Sequence, residues 1–202
     1  MAEAAVEAVL ALRHDVIACG PGLGRGEAAR RFVRALVDRS PVPLVLDADA
    51  VLAFADERHI VITPHPGEMA RLLGRSIEDV QNNRIEIAGE FAVTHQIHVV
   101  LKGHRTVIAH PSGLIGLNPT GNPGMATGGT GDVLTGMVAA WLAQLLDADA
   151  ACSLAVFLHG AAGDLAAAHE GRVSMIAGDL LHHIGPALEQ LTATPGEAGG
   201  ND

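Results

Sequence analysis

The segment Gly128-Gly129-Thr130-Gly131-Asp132 places three glycines and a carboxylate directly before an apolar helical pattern. Glycine costs backbone entropy, so such a cluster needs a use for bare main chain. A glycine loop feeding a helix start aims several N–H groups at one point, where the helix dipole also favours an anion. Asp132 then has two readings, an N-cap or a general base beside a bound anion. Capping alone leaves Gly128, Gly129 and Gly131 unexplained, with Gly121 and Gly124 ahead of them. A phosphoryl group in transfer spreads charge over its oxygens, and preorganised N–H donors stabilise that charge. The combination suits phosphorylation of an alcohol, with Asp132 taking the hydroxyl proton. It is neither a Walker A loop, since no lysine follows, nor a G-x-G-x-x-G dinucleotide turn.

Four more segments close apolar runs with polar or glycine-rich residues. Lys102, the only lysine of the chain, ends VVLKG. It reads as a snorkelling lysine or as a nucleotide-phosphate contact, with Thr106 just beyond as a hydroxyl donor. His65 lies between Pro64 and Pro66 in TPHPGE, which stiffen the loop that presents it, and reads as a ligand contact. Glu68 fits a helix cap, or an organiser of metal-bound water, the cap being the plainer use. Asp47 and Asp49 in LDADA suit either task. GPGLG, Gly20–Gly24, is a tight turn or a bare surface for a bulky ligand, and both readings stay open.

Short β-type runs alternate with longer helical ones between these segments. Strands are predicted over Asp15–Cys19, Leu44–Leu46, His59–Ile62 and His98–Lys102, with a hairpin over Arg105–Ala109 and Leu114–Leu117. Helical spacing covers Glu27–Asp38, Glu68–Leu73, Ile77–Thr94, Asp132–Leu145, Asp149–Ala168 and Ala177–Leu191. Continuous Val/Ile strands between helices predict an α/β fold, a mostly parallel sheet covered on both faces. Ligands of such sheets sit beyond the carboxyl ends of the strands. GPGLG, DADA, TPHPGE and KGHRT are the strand-end segments, so together with GGTGD they are expected to line one crevice. One domain over residues 1–202 is expected, with a tail at 192–202.

The composition, 49% apolar with mean hydropathy +0.28, excludes a disordered chain, and 202 residues supply a sizeable core. A formal charge of −10 argues against nucleic-acid and membrane-surface partners. It leaves room for a nucleotide held by local N–H groups. No apolar run reaches the ~20 residues of a membrane span. The early acids of MAEAAVEAVL do not resemble a signal peptide, so a cytoplasmic location is expected. Cys19 and Cys152, in apolar runs, are expected as buried reduced thiols. With no CxxC and no HExxH, neither a structural zinc site nor a zincin is expected, and metal ligands are left unassigned.

Taken together, GPGLG, LVLDADAV, ITPHPGEMARLL, VVLKGHRTVIA, NPTGNPGMATGGTGDVLTGMVAAWLAQ and AVFLHGAAGDLAA resemble the ADP-dependent NAD(P)H-hydrate dehydratases, relatives of the ribokinase-like kinases. The resemblance runs from about Asp15 to about Leu191 and is most distinctive over Asn118–Gly136. It implies a ribokinase-like three-layer α/β/α sandwich. It further implies a repair enzyme that phosphorylates the C6 hydroxyl of hydrated NADH or NADPH from ADP and then eliminates phosphate. On this likeness Asp132 is the base, and Gly128, Gly129, Thr130 and Gly131 hold the transferring phosphate. Lys102, Gly103, His104, Arg105 and Thr106 line the adenine-nucleotide site, while His65 with Gly22 or Gly24 contacts the hydrate. Mg2+ is the implied bridging ion and a homo-oligomer, a homotetramer, the implied assembly. The family pattern carries a further strand–helix unit ahead of GPGLG, so this sequence is expected to be a fragment, a miscalled start or a shortened variant. Two other readings stay open: an ATP-dependent vitamin-precursor or sugar kinase of the same fold, and a silent adenine-nucleotide-binding module.

Overall fold

The computed structural model describes residues 2–53, 60–145 and 147–193. The first helix, α1 (Ala2–Leu10), leads to strand β1 (Ile17–Cys19), helix α2 (Glu27–Arg39) and strand β2 (Leu44–Leu46). A short 3-10 turn over Ala48–Ala53 follows, then β3 (Ile60–Ile62). Helices α3 (Pro66–Leu73), α4 (Ile77–Asn82) and α5 (Arg84–His95) connect to β4 (His98–Leu101). The hairpin is β5 (Val107–Ala109) and β6 (Ile115–Leu117), and α6 (Thr130–Leu145), α7 (Ala148–Glu170) and α8 (Ala177–Thr192) complete the order. His59, the expected start of the third strand, lies outside the described residues, as does 194–202 of the expected tail.

The six strands lie side by side in sequence order. β1 to β4 run parallel, and β5 and β6 continue the sheet antiparallel. Crossovers of one hand, applied to strands added always on the same side, put every connecting helix on one face. That leaves the other face for the helices after β6. The strand side chains obey this division with period two. Leu44, Leu46, Ile60, Ile62, Val99 and Leu101 point into a core shared with Val33, Leu36, Met69 and Ile87 of the connecting helices. Val45, Val61, Val100 and Ile108 point the opposite way, into a core with Val138, Leu142, Cys152 and Leu158 of α6 and α7. Three layers result, as expected.

Two expectations change. The helical run predicted over Ile77–Thr94 breaks at Asn83, whose side-chain amide donates to the Asp79 carbonyl (3.1 Å) and carboxylate (2.9 Å). An Asn side chain competing with the backbone for partners is a helix interrupter. Secondly, α7 spans 23 residues with a hydropathy of 1.4 in its most apolar window, enough by length and composition to cross a membrane. In this fold half of that window is buried inside the protein, where the helix packs against β4, α6 and α8. Cys19 and Cys152 are buried free thiols, as expected. Burial pushes the Cys152 thiol up to about 12, and the nearby Asp149 and Asp147 add to the shift.

Candidate active site

The parallel strands end together, so the loops after them share one edge of the sheet. After β2 comes Asp47, 1% exposed. Its Oδ1 accepts from Lys102 Nζ at 2.6 Å, and its Oδ2 accepts from Thr135 Oγ1 at 2.8 Å. Lys102 leaves β4, two strands away, and its own backbone N–H donates to the Pro64 carbonyl at 2.8 Å. A carboxylate this buried needs such partners, since an unpaired buried charge is costly. Gly20, at the end of β1, passes so close that a Cβ there would overlap the Asp47 carbonyl.

After β3, His65 caps α3. Its Nδ1 accepts from the Gly67 (2.9 Å) and Glu68 (3.3 Å) amides, while Glu68 accepts from the His65 N–H at 2.7 Å. This is a capping box with His in the usual Ser/Thr place and Pro66 at the first helical position. Glu68 is therefore the N3 partner of the His65 cap. It also stands 3.9 Å from Lys102 Nζ. Asp49 has a different partner, an ion pair with Arg25 at 2.7 Å that ties down the GPGLG loop.

Above Lys102 lies the glycine loop. A Cβ at Gly131 would stand 3.3 Å from Lys102 Nζ, so the bare backbone lets the ammonium sit beneath the start of α6. Gly129 takes φ +92°, the left-handed region that glycine favours. Thr130 is buried, and its hydroxyl donates back to the Met125 (2.8 Å) and Thr127 (3.0 Å) carbonyls, holding the loop closed. His159 Nε2 donates to the Thr130 carbonyl at 2.9 Å from below. Burial lowers the His159 pKa to about 4, with the Lys102 charge adding to the shift, so the ring is neutral. Asp132 is exposed in the first turn of α6. Its carboxylate has no hydrogen-bond or ion-pair partner among the described residues.

A cavity of about 590 Å³ opens at this edge. Of the sequence-predicted residues, it is lined by His65, Lys102, Gly103, His104, Arg105, Thr106, Thr130 and Gly131. Gly128, Gly129 and Asp132 flank it in the same loop without joining its lining. Gly22 and Gly24 sit apart from it, at φ +76° and +78°, in an exposed turn where a Cβ would meet nothing within 4 Å. Thr106, expected as a free donor, gives its hydroxyl to the Gly103 carbonyl at 3.1 Å.

Sequence reasoning left the floor of this cavity without roles. Asn118, Thr120 and Asn122 belong to a loop laid directly on α7, where Thr120 Oγ1 donates to the Phe157 carbonyl (2.8 Å). Asn122 Nδ2 donates to the Gly163 carbonyl (2.9 Å) and Asp164 Oδ1 (3.0 Å), and the Gly121 amide donates to Asp164 Oδ2 (2.8 Å). The signal was present in HGAAGD: glycines three apart on a helix mark a groove for another backbone. Gly160 and Gly163 provide it, because a Cβ on either would overlap Thr120 or Met125.

The three-layer α/β/α fold places the molecule in the ribokinase-like class. It matches a ribokinase-like superfamily protein of Enterococcus faecalis with TM-score 0.75 and 30% identity, over 93% of this chain and 66% of that one. Residues 1–186 match the family described as NAD(P)H-hydrate dehydratase, and the chain belongs to that family. It is 50% identical over 185 residues to a bifunctional NAD(P)H-hydrate repair enzyme of Moorella thermoacetica, covering 88% of this chain and 35% of the relative. The chain thus spans about a third of that relative's length. The structure of an ADP/ATP-dependent NAD(P)H-hydrate dehydratase of Bacillus subtilis, co-crystallised with ATP/Mg2+ and soaked with CoA, superposes with TM-score 0.84 and 36% identity. That match covers 94% of this chain and 71% of the other.

Proposed function

We propose that this domain dehydrates hydrated NADH or NADPH at the expense of ADP, yielding NAD(P)H, AMP and phosphate. The observation that carries the reading is the stacking of the Gly128–Gly131 loop over Lys102, at the mouth of a cavity walled by the 102–106 loop. The 102–106 loop receives the nucleotide. The amides of Gly128–Gly131 hold the phosphoryl group as charge develops on it. Asp132, exposed and without a partner among the described residues, takes the proton of the C6 hydroxyl as its oxygen bonds to the β-phosphorus of ADP. The anhydride P–O bond breaks and AMP leaves. Phosphate then departs from C6 with the C–O bonding pair as the ring nitrogen lone pair moves in, and loss of the adjacent C–H proton restores the dihydronicotinamide. His65 faces the hydrate from the cavity wall, and the Gly22–Gly24 turn, which lies outside that wall, would meet only a part of the hydrate that extends beyond the cavity. Oxygen donors suit Mg2+, which takes one or two carboxylates beside phosphates and water. The carboxylates beside Lys102 are already engaged, Asp47 by Lys102 and Thr135 and Glu68 by the His65 N–H, and neither lines the cavity, so the residues that would hold the ion are left unassigned. A homotetramer is the proposed assembly.

The test offers (S)-NADH hydrate with ADP or ATP and follows the return of dihydronicotinamide absorbance. Recovery with ADP supports the reading; accumulation of a stable phosphate ester marks a kinase, and nucleotide binding without turnover marks a silent module. Asp132→Asn is expected to lower kcat by at least about 100-fold, the usual contribution of a general base, with ADP binding retained. Equal turnover in that variant removes Asp132 from the base position.

A further inference from the structure

A second cluster lies at the opposite end of the sheet. His98 opens β4 and His110 follows β5. Because Val99 pairs with Ala109 in the antiparallel ladder, the two histidines are brought side by side one residue further along. Asp149, in the first turn of α7, closes the group. His98 Nε2 and His110 Nδ1 stand 2.6 and 2.7 Å from the same oxygen, Asp149 Oδ1. The rings meet edge-on, with centroids 5.5 Å apart and planes at 77°, so their nitrogens converge on one point instead of stacking. Both imidazoles are largely buried, their side chains 13% and 3% exposed, while the Asp149 side chain is 53% exposed.

We propose that His98, His110 and Asp149 form a structural site for a divalent first-row transition ion of the Zn2+ type. One atom from each residue lies within 4.8 Å of the other two. Two imidazoles and a carboxylate are a borderline donor set, suited to Zn2+ and not to Mg2+ or Ca2+. Bonds of about 2.0–2.2 Å in a tetrahedron separate ligand atoms by about 3.3 Å, so the present spacings must widen by roughly 0.6–0.7 Å. The exposed Asp149 can swing outward to allow this, and the open side leaves a fourth position to water. The positive end of α7 opposes a cation, but Asp147 occupies the Asp149 amide at 3.0 Å and adds a second carboxylate. A bound ion would pin the start of α7 to β4 and β5. Partners 51 and 39 residues apart explain why no local zinc motif announced the site.

The test strips the full chain with a chelator and titrates it with Zn2+ by calorimetry, with thermal melts alongside. The His169–His183 pair, with His169 exposed and His183 half-buried and the rings stacked with centroids 5.0 Å apart, is where adventitious zinc would go, so His183→Gln is the control. One ion per chain and a raised Tm are expected in the wild type and in His183→Gln. Asp149→Ala and His98→Gln are expected to weaken binding by more than about tenfold, the loss seen even for outer-shell partners. Asp149 is exposed, so its variant reads binding even if His98→Gln fails to fold. No binding in the wild type, or equal binding in Asp149→Ala, or loss only in His183→Gln, overturns the site.

Discussion

Lys102 and Asp47 illustrate how one residue's chemistry depends on a partner the sequence does not announce. The lysine was conspicuous as the only one in the chain and as the end of a buried strand. Its ion pair was not, because the partner sits 55 residues away and the contact exists only once β3 lies between β2 and β4. Asp47 itself was ambiguous for the same reason: a carboxylate after a strand caps, coordinates or pairs, and only the tertiary fold decides. The pair is part-buried, with the two side chains 19% and 2% exposed, so breaking it leaves the buried Asp47 carboxylate without its countercharge. Lys102→Met is expected to lower the unfolding free energy by about 3 kcal/mol, because Asp47 keeps its charge without a countercharge. Adding Asp47→Asn to that variant should recover a large part of the loss, since no buried charge then remains. Urea denaturation of the two single variants and the double variant decides the point; additive losses would mean the two groups do not depend on each other.

Elements were the most legible scale. β2 matches its predicted span, and the three last helices begin and end within two residues of theirs. Period two in the strands and an apolar stripe in α2 are strong local signals. Less legible was what a loop lies against. The glycines of NPTGNPGMATGGTG read as one anion cradle, yet they divide between two tasks. Gly131 admits Lys102 beneath the loop, whereas Gly121 and Gly124 belong to the segment laid on α7. Gly160 and Gly163 are the helix's half of that contact, and they should differ under substitution. An added methyl at Gly160 overlaps the Thr120 side chain and its backbone carbonyl carbon, neither of which can turn away. At Gly163 its nearest contacts are the thioether atoms of Met125, a side chain that re-packs readily. Gly160→Ala is therefore expected to destabilise by about 1–3 kcal/mol through overpacking, and to raise the KM for ADP as the loop lifts. Gly163→Ala should stay near neutral, helped by the ~1 kcal/mol helix preference of Ala over Gly. Thermal melts and ADP titrations of both variants check the order, and the reverse order would remove the loop–helix account.

Across the whole molecule, the layered architecture followed from strand–helix alternation, but the charge balance between its parts did not. Burial in the fold disfavours the charged form of two of its histidines. Burial lowers the pKa of His98, against an opposing hydrogen bond that it donates to Asp149, and lowers that of His159 to about 4. The unfolded chain protonates these rings near pH 6.5, before the folded protein does. Between pH 6.5 and 4 the unfolded state therefore binds more protons, and stability falls as pH falls. Asp149 acts in the same sense at lower pH. Hydrogen bonds from His110 and His98 depress its pKa, so the stability it lends above its unfolded value is lost as pH drops through the folded one. His159 makes the largest single contribution: about 2.5 pH units of depressed titration correspond to about 3 kcal/mol lost between neutrality and pH 4. His159→Gln keeps an N–H for the Thr130 carbonyl but cannot titrate. Its unfolding free energy should thus decline less steeply between pH 6.5 and 4 than that of the wild type, by up to about 1.4 kcal/mol per pH unit. Urea unfolding at successive pH values measures both slopes. Parallel curves would show that His159 protonates freely in the folded protein, and that the support beneath the glycine loop is not the neutral ring described above.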